Sequence, residues 1–420
     1  MRTGAWKRIT TVMLSSALAA GLAAAPVSAA EYVIDEPVTI KVLWCQSPTE
    51  SGLEDTIEEA LAEAYPNISV DWELITWEDL PGKMQQYMQS GMPDAVIAKS
   101  QDANNFAEYD VWADLSDTDY IKNVYESALY GVTLDDKILG MPYIGSYGGV
   151  YYNRTIFKDL GLEVPTTYEE LEEVCKVIAE NGITPIGTHF LDAWYHGWAL
   201  AIACGGELMT TSETWGNEFR DGTRDAADED FIAGLEGFQL IHDYTWEDCY
   251  SVEQMTCDAR FVQGESAMQF DMSGVAATYA ELDPELDFGI FPYPTSQGNG
   301  CLNMEPNCTF FKCAATENGE AVDAFLSIMA DPAMASEWSQ YVGETSLIEG
   351  ADSFTTSCMP DIDHYSEAGL TRDQNKITNQ LPYNEFWADL SNDYTEYVQG
   401  NIDLDTVLER ANSRRDVCGH

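Results

Sequence analysis

The chain has 420 residues, of which 72 are acidic and 20 are basic, so its formal net charge is −52. This length exceeds what one hydrophobic core usually organises, and two domains are therefore expected. So large a negative charge repels nucleic acid and anionic lipid, which argues against proteins that bind DNA, RNA or a membrane surface.

The first thirty residues have the pattern of a secretory signal peptide. Three basic residues precede an uncharged apolar run over 9–25, and small residues follow up to Ala30. An uncleaved membrane anchor is the alternative, but the run is rich in alanine and short for a spanning helix. Since Cys45 falls inside the first predicted strand, no lipid-attachment cysteine is expected. The predicted location is periplasmic or extracellular, in soluble form.

Ten cysteines follow this segment, in an export context that permits disulfides. The nearest neighbours in sequence are Cys249 and Cys257, and the group Cys301, Cys308 and Cys313. Their spacings do not match the paired cysteines of zinc sites, so no metal is expected. At least one disulfide remains an open alternative to small, buried, apolar thiols.

The first hundred residues of the mature chain alternate between strand and helix patterns. Apolar or alternating runs predict strands, and helical spacing of apolar residues separates them. Ser51 with Glu54, and Thr76 with Asp79, have the spacing of helix starts. The result is the strand–helix–strand–helix–strand unit of a mainly parallel α/β sheet, with strands at 38–44, 68–74 and 95–98.

The same alternation returns farther along the chain. A strand is predicted at 147–153, and Thr166 or Thr167 with Glu169 or Glu170 forms a capping box for the next helix. Asn181-Gly182 ends that helix, and Asp331-Pro332 has the pattern of a cap followed by a first-turn proline. Further strands are predicted at 183–186, 267–270, 288–291 and 310–313, and further helices at 231–241, 255–263, 321–329, 385–398 and 403–412.

Several blocks together resemble one known family. The stretch 138–187 contains a Gly-x-Pro-Tyr crossing, Tyr-Tyr-Asn, Gly-Leu and Gly-Ile-x-Pro-Ile. Other blocks lie before and after this stretch, in the order that the family has them. Among them are MQSGMPDAV, FVQGESAMQF, FGIFPYP and YVQGNIDLDTVLERA. The chain thus resembles the family 1 extracellular solute-binding proteins, the sugar-capturing subunits of bacterial ABC importers that include maltose-binding protein.

The resemblance implies an α/β fold of the type II periplasmic-binding-protein kind. Two lobes, each a mainly parallel sheet flanked by helices, enclose a ligand cleft. The implied boundaries are a signal peptide at 1–30, an N-lobe at 31–144 plus 304–330, and a C-lobe at 145–303 plus 331–420. Glycines make 143–149 and 300–305 the expected hinges.

By the same resemblance, the chain captures a carbohydrate by lobe closure and delivers it to ABC permease subunits. A monomer without a cofactor is expected. Ligand groups should lie in loops after the carboxyl ends of strands, as aromatic faces and planar amides or carboxylates. Tyr147 is placed at the crossing by the resemblance alone. The candidate ligand residues are Trp44, Gln46, Trp77, Gln101, Tyr147, His189, Asp192, Trp194, Asp271 and Asn307.

Alternatives accompany these candidates. Trp44 fits a core residue equally well, Trp77 fits an apolar helix entry, and Trp194 with Trp198 fits one apolar helix face. Asp271 and Asn307 stand where many relatives have tryptophan and glycine, so the identity of the sugar is not inferred. A polyamine ligand is the alternative solute. A secreted glycosidase is the rival class, but no Gly-x-Ser-x-Gly, HExxH or P-loop motif supports an enzyme.

Overall fold

The computed structural model describes residues 32–45, 50–272, 274–378, 380–381 and 386–418. The predicted signal peptide lies outside these residues. The strands are β1 Val38–Cys45, β2 Ile68–Ile75, β3 Ala95–Ala98, β4 Thr133–Leu134, β5 Lys137–Ile138, β6 Met141–Asn153, β7 Thr184–Gly187, β8 Ser266–Met272, β9 Phe288–Phe291, β10 Leu302–Lys312, β11 Thr345–Ser346 and β12 Thr371–Asp373.

The helices confirm an α/β fold. They are α1 Leu53–Ala64, α2 Leu80–Ser90, α3 Asp102–Asn105, α4 Arg154–Leu160, α5 Tyr168–Glu180, α6 Ala193–Thr211, α7 Trp215–Arg220, α8 Glu229–Asp243, α9 Gln254–Val262, α10 Gly274–Leu282, α11 Gly319–Met329, α12 Pro332–Val342, α13 Met359–Glu367, α14 Asn375–Thr378, α15 Phe386–Val398 and α16 Leu404–Cys418. Short 3₁₀ turns, including Trp77–Asp79 and Tyr130–Val132, connect some of them.

Two long strands join the halves of the molecule. The main path of the sheet has the order β2-β1-β3-β10-β6-β8-β7. β6 and β10 pair antiparallel with each other, β3 pairs with the far end of β10, and β8 pairs with the far end of β6. β1, β2 and β3 are parallel to one another, as are β7 and β8. We call β6 and β10 the crossing strands.

Each end of the crossing strands has its own core. The first-lobe core packs α1, α11 and α12 on the sheet around Trp44, Tyr143, Phe310 and Trp338. The boundaries implied by the family resemblance assign α12 to the second lobe, but the side chain of Trp338 is buried against Trp44 and Tyr143 in the first-lobe core. The chain passes to the second-lobe side between Ala351 and Cys358.

Two of the four predicted helix starts follow the predicted chemistry. Thr167 and Glu170 form a reciprocal capping box at the start of α5, and Asp331 accepts a hydrogen bond from the amide of Ala333 at the start of α12. The prediction that Ser51 caps α1 is wrong. The N-cap is Gly52, whose φ of 100° is left-handed and suits glycine, and its amide donates to Glu54 instead. Thr76 precedes the 3₁₀ turn Trp77–Asp79, but its side chain makes no capping hydrogen bond there.

Replacing Thr167 with alanine is expected to destabilise the protein by about 1 kcal/mol, because the amide of Glu170 loses its acceptor. Urea unfolding followed by circular dichroism measures the change. Thr166→Ala is the matched control, since its hydroxyl donates to the Glu170 carboxylate but does not cap the helix. Equal losses from the two variants would contradict the assigned cap.

The thiols of nine cysteines within the described ranges are free, and eight of these residues are buried. The eight buried cysteines pack in the hydrophobic cores as small apolar residues. Within those same ranges, no helix combines the length and apolar character needed to cross a membrane.

Candidate functional site

The crossing strands present different side chains on their two faces, as the period of two in a β-strand requires. Gly148 lies under the indole of Trp198, where a Cβ atom would approach the ring to 2.8 Å. Gly145, of opposite parity, faces Leu347 and Met304. We call the face that carries Gly148 and Glu305 the cleft face.

Strands from both lobes end beside the cleft face, and the loops that follow them begin there. β3 ends at Ala98, which pairs with Thr309 of β10, so Lys99 and Ser100 follow directly next to the crossing. β8 ends at Met272, which pairs with Gly148. Because β7 runs parallel to β8, the loop after β7 reaches the same edge of the sheet. This is where ligands bind in open α/β sheets.

A chain of polar contacts crosses between the lobes. The ammonium of Lys99 lies 3.3 Å from the carboxylate of Glu305 and 5.6 Å from the ring centre of Trp77. The amide of Gln374 donates to Glu305 at 3.2 Å and accepts from the indole N–H of Trp198 at 3.1 Å. The negative charge of Glu305 raises the pKa of Lys99. The lysine therefore stays protonated, and the carboxylate of Glu305 balances its positive charge.

A second polar group lies at Asn307. Its amide donates to the hydroxyl of Ser146 and to the carboxylate of Glu344, with Nδ2–Oε2 at 3.2 Å. Burial raises the pKa of Glu344 above its ordinary value.

The second-lobe edge of the cleft is built around a buried histidine. His189 is 0% exposed, with its Nδ1 at 2.8 Å from Asp192 and its Nε2 at 3.1 Å from Asp271. Asp192 is the N-cap residue of α6, and its carboxylate also accepts a hydrogen bond from the backbone amide of Gln254 at 3.0 Å. The histidine ring stacks on Tyr195, with ring centres 3.7 Å apart.

Trp194 projects from this edge. It lies in the first turn of α6 and is 49% exposed, although its ring centre is only 5.8 Å from that of His189. A rigidly supported indole with one open side is the kind of surface on which the C–H face of a sugar ring stacks.

The structure brings most of the predicted residues to the two edges of the cleft. Trp77 and Gln101 stand on the first-lobe side, and His189, Asp192, Trp194 and Asp271 on the second-lobe side, with Asn307 on the crossing. His189 and Asp271 are completely or almost completely buried, so they support the edge from within. Gln46 lies outside the described residues.

Two predicted residues lie elsewhere. Trp44 is 0% exposed between Trp72 and Trp338, which is the position of a core residue. Tyr147 faces away from the cleft face, because it has the parity of Gly145. With Met304 and Tyr125, it lines a groove of about 1060 Å³ on the opposite side of the crossing strands.

Sequence reasoning missed Lys99, Glu305, Glu344 and Gln374. Lys99 lies two positions before the predicted ligand residue Gln101, in the loop that follows β3, so its loop position could have identified it. Glu305 would follow from strand alternation had β10 been predicted from Leu302. For Gln374, which follows a three-residue strand, the sequence carries no comparable signal.

Comparison with known proteins agrees with this architecture. A family model described as bacterial extracellular solute-binding protein matches residues 57–366. The multiple sugar-binding protein of Streptococcus mutans is 20% identical over 346 residues, which cover 78% of this chain and 80% of that protein. The sn-glycerol-3-phosphate-binding periplasmic protein UgpB of Brucella abortus is 28% identical over 189 residues, 41% of this chain and 40% of that protein.

Solved structures share the fold. The apo form of RafE from Streptococcus pneumoniae superposes with a TM-score of 0.75 at 20% identity, over 92% of this chain and all of that one. RafE in complex with raffinose gives 0.73 at the same identity, over 91% of this chain and all of that one. These likenesses establish two lobes around a cleft.

Proposed function

Because the chain belongs to the bacterial extracellular solute-binding proteins, we propose that it captures a neutral carbohydrate in the cleft between its lobes and delivers it to an ABC permease. The observation that carries this proposal is Trp194, a half-exposed indole held by buried neighbours at the edge of the cleft. Ligand contacts with both lobes would favour the closed state by population shift.

The charge balance of the cleft supports a neutral ligand. The positive charge of Lys99 is met by Glu305, and burial raises the pKa of Glu344. Amides and hydroxyls at Asn307, Ser146 and Gln374 supply directional donors and acceptors of the kind that sugar hydroxyls pair with.

The match to UgpB makes sn-glycerol 3-phosphate the second candidate. A phosphate ligand needs cationic partners that are not already neutralised. Lys99 is the one lysine or arginine in the polar chain from Trp77 to Trp198, and Glu305 balances it. The observation therefore favours the carbohydrate.

A thermal-shift screen of the chain without its predicted signal peptide tests the proposal. The panel contains raffinose, stachyose, chitin oligosaccharides, sn-glycerol 3-phosphate and spermidine. We expect one narrow set of carbohydrates to raise the melting temperature, since a ligand at 100 times its Kd stabilises the folded state by about 2.7 kcal/mol.

A shift with sn-glycerol 3-phosphate or spermidine alone would replace the carbohydrate by that solute class. No shift with any member, together with turnover of a glycoside substrate, would overturn the binding function itself. Delivery to an ABC permease is tested separately by stimulation of sugar transport in vesicles that contain candidate ABC permease subunits from the same organism.

A further inference from the structure

Both ring nitrogens of His189 face carboxylates. Nδ1 lies 2.8 Å from Oδ2 of Asp192 and Nε2 lies 3.1 Å from Oδ2 of Asp271, and the ring has no exposed surface. A neutral imidazole donates from one nitrogen and accepts at the other, whereas an imidazolium donates from both. Two carboxylate acceptors are therefore best satisfied by the charged ring.

The opposing carboxylates are themselves held in place. Asp271 accepts from its neighbouring amide, Met272 N, at 2.8 Å and from Gln269 Nε2 at 3.0 Å. The same Gln269 nitrogen donates to Asp258 of α9 at 2.7 Å. Asp192 is fixed by the amide of Gln254. The network thus joins α9, β8, the loop after β7 and the start of α6.

Two other histidines give an internal contrast. His196 is buried and His242 is half-buried, the Nε2 atoms of both are buried, and both rings pack among aromatic rings. Burial lowers the pKa of His196 to about 4 and that of His242 to about 3. For His189 burial acts in the same direction, but the hydrogen bonds and charges of Asp271 and Asp192 outweigh it and raise the pKa.

We propose that His189 is a buried imidazolium that acts as a positioning residue, joining Asp271 at the end of β8 to Asp192 at the start of α6 and so fixing Trp194 at the edge of the cleft. The role of Trp194 in ligand binding rests on the proposed function, whereas the charge state of His189 does not. Asp258 and Gln269 serve this arrangement by orienting Asp271.

The groups around the ring of His189 decide whether the stability that it contributes to the fold rises or falls with pH. Burial and the charge of Asp271 raise the pKa of Asp258. A raised folded-state pKa, for His189 as for Asp258, means that folding favours the protonated form. The stability from His189 is complete below its ordinary pKa of about 6.5 and is lost as pH rises through the raised value. The groups that face the ring or its carboxylates are Asp192 at the N-cap of α6, Tyr195 on α6, Asp271 on β8, and Cys257 and Asp258 on α9.

Nitrogen-15 NMR of histidine-labelled, ligand-free protein tests the charge. At pH 7 we expect both His189 nitrogens to be protonated, while His196 and His242 each show one bare nitrogen in the same spectrum. Assignment uses His189→Gln, His196→Gln and His242→Gln. A bare nitrogen on His189 at pH 7 would overturn the proposal, because the ring would then be neutral, whether its second proton resides on a carboxyl or has been lost to solvent.

Asp192→Asn removes one charge and keeps an acceptor oxygen. We expect the titration midpoint of His189 to fall by about one pH unit or more. Asp271→Asn is the second variant, and the exposed Asp405→Asn on α16 is the matched control. An unchanged midpoint in both folded test variants would contradict the proposed ion pairs.

Fluorine-19 NMR of protein labelled with 5-fluorotryptophan tests whether His189 positions Trp194. The resonance of Trp194 is assigned with the variant Trp194→Phe. Its resonance should follow the His189 titration and lose that dependence in His189→Gln. A Trp194 signal that ignores the titration would refute the positioning role. Both measurements use ligand-free protein, so they stand or fall independently of a failed carbohydrate screen.

Discussion

Replacing Trp338 with alanine is expected to lower the free energy of unfolding by about 3–5 kcal/mol, the range for emptying a buried tryptophan site. Trp338 is completely buried on α12, with ring centres 5.3 Å from Trp44, 5.1 Å from Tyr143 and 5.8 Å from Phe310. These partners come from β1, β6 and β10. The cavity would therefore open at the point where α12 holds the first-lobe sheet together.

Urea unfolding with separate probes for the two lobes measures this loss. Tyr341→Ala is the matched control on the same helix, because that ring is exposed and makes one hydrogen bond to the backbone of Ser51. Trp338→Phe should cost less than alanine, because it keeps an aromatic ring. It also removes an indole N–H that has no hydrogen-bond partner in the part of the chain described. A loss below about 1 kcal/mol in Trp338→Ala would contradict the packing of α12 in this core.

Local signals predicted much of the fold because they act over a few residues. The capping box of Thr167 and Glu170 and the stop at Asn181-Gly182 define α5 from sequence alone. The alternating pattern of β2 and the apolar run of β3 likewise needed no tertiary information.

Among the described helices the longest is α6, and it was not explicitly predicted, for a physical reason. It is apolar on most of its faces and contains three glycines, which lower helix propensity. Two of these glycines are explained by close packing. A Cβ atom at Gly197 would lie 3.1 Å from the backbone of Ala388, and one at Gly205 would lie 2.4 Å from Ile377. Such contacts between distant segments leave no periodic trace in the sequence.

The candidate site likewise has residues that local sequence patterns predict and residues that only contacts between distant segments determine. Loop positions after predicted strands identified Asp192 and Trp194, since strand ends are readable from local pattern. Burial was not readable, so Trp44 and Trp194 looked alike in sequence although one is 0% and the other 49% exposed. The polar chain from Lys99 through Glu305 to Gln374 joins three distant segments. It depends on pairing of β10 with both β3 and β12, which no local pattern specifies.

Replacing Trp194 with alanine is expected to weaken binding of the carbohydrate found in the thermal-shift screen by about 1–3 kcal/mol. Covering about 100 Å² of indole surface with a sugar ring corresponds to about 2.5 kcal/mol at about 25 cal/mol per Å². The loss should appear as a rise in Kd by about 5- to 150-fold in isothermal titration calorimetry. Folding should be nearly unchanged, because half of this side chain is already exposed.

Two further variants separate stacking from other effects of the Trp194 substitution. Trp194→Phe keeps an aromatic face and should retain most of the affinity, whereas the exposed Tyr341→Ala, on a helix of the first-lobe core, should leave Kd unchanged. Because His189 and Tyr195 support the indole from below, the benefit of stacking includes the low entropic cost of a preorganised ring. Unchanged affinity in a folded Trp194→Ala protein would mean that the ligand binds elsewhere in the cleft, closer to the polar chain around Glu305.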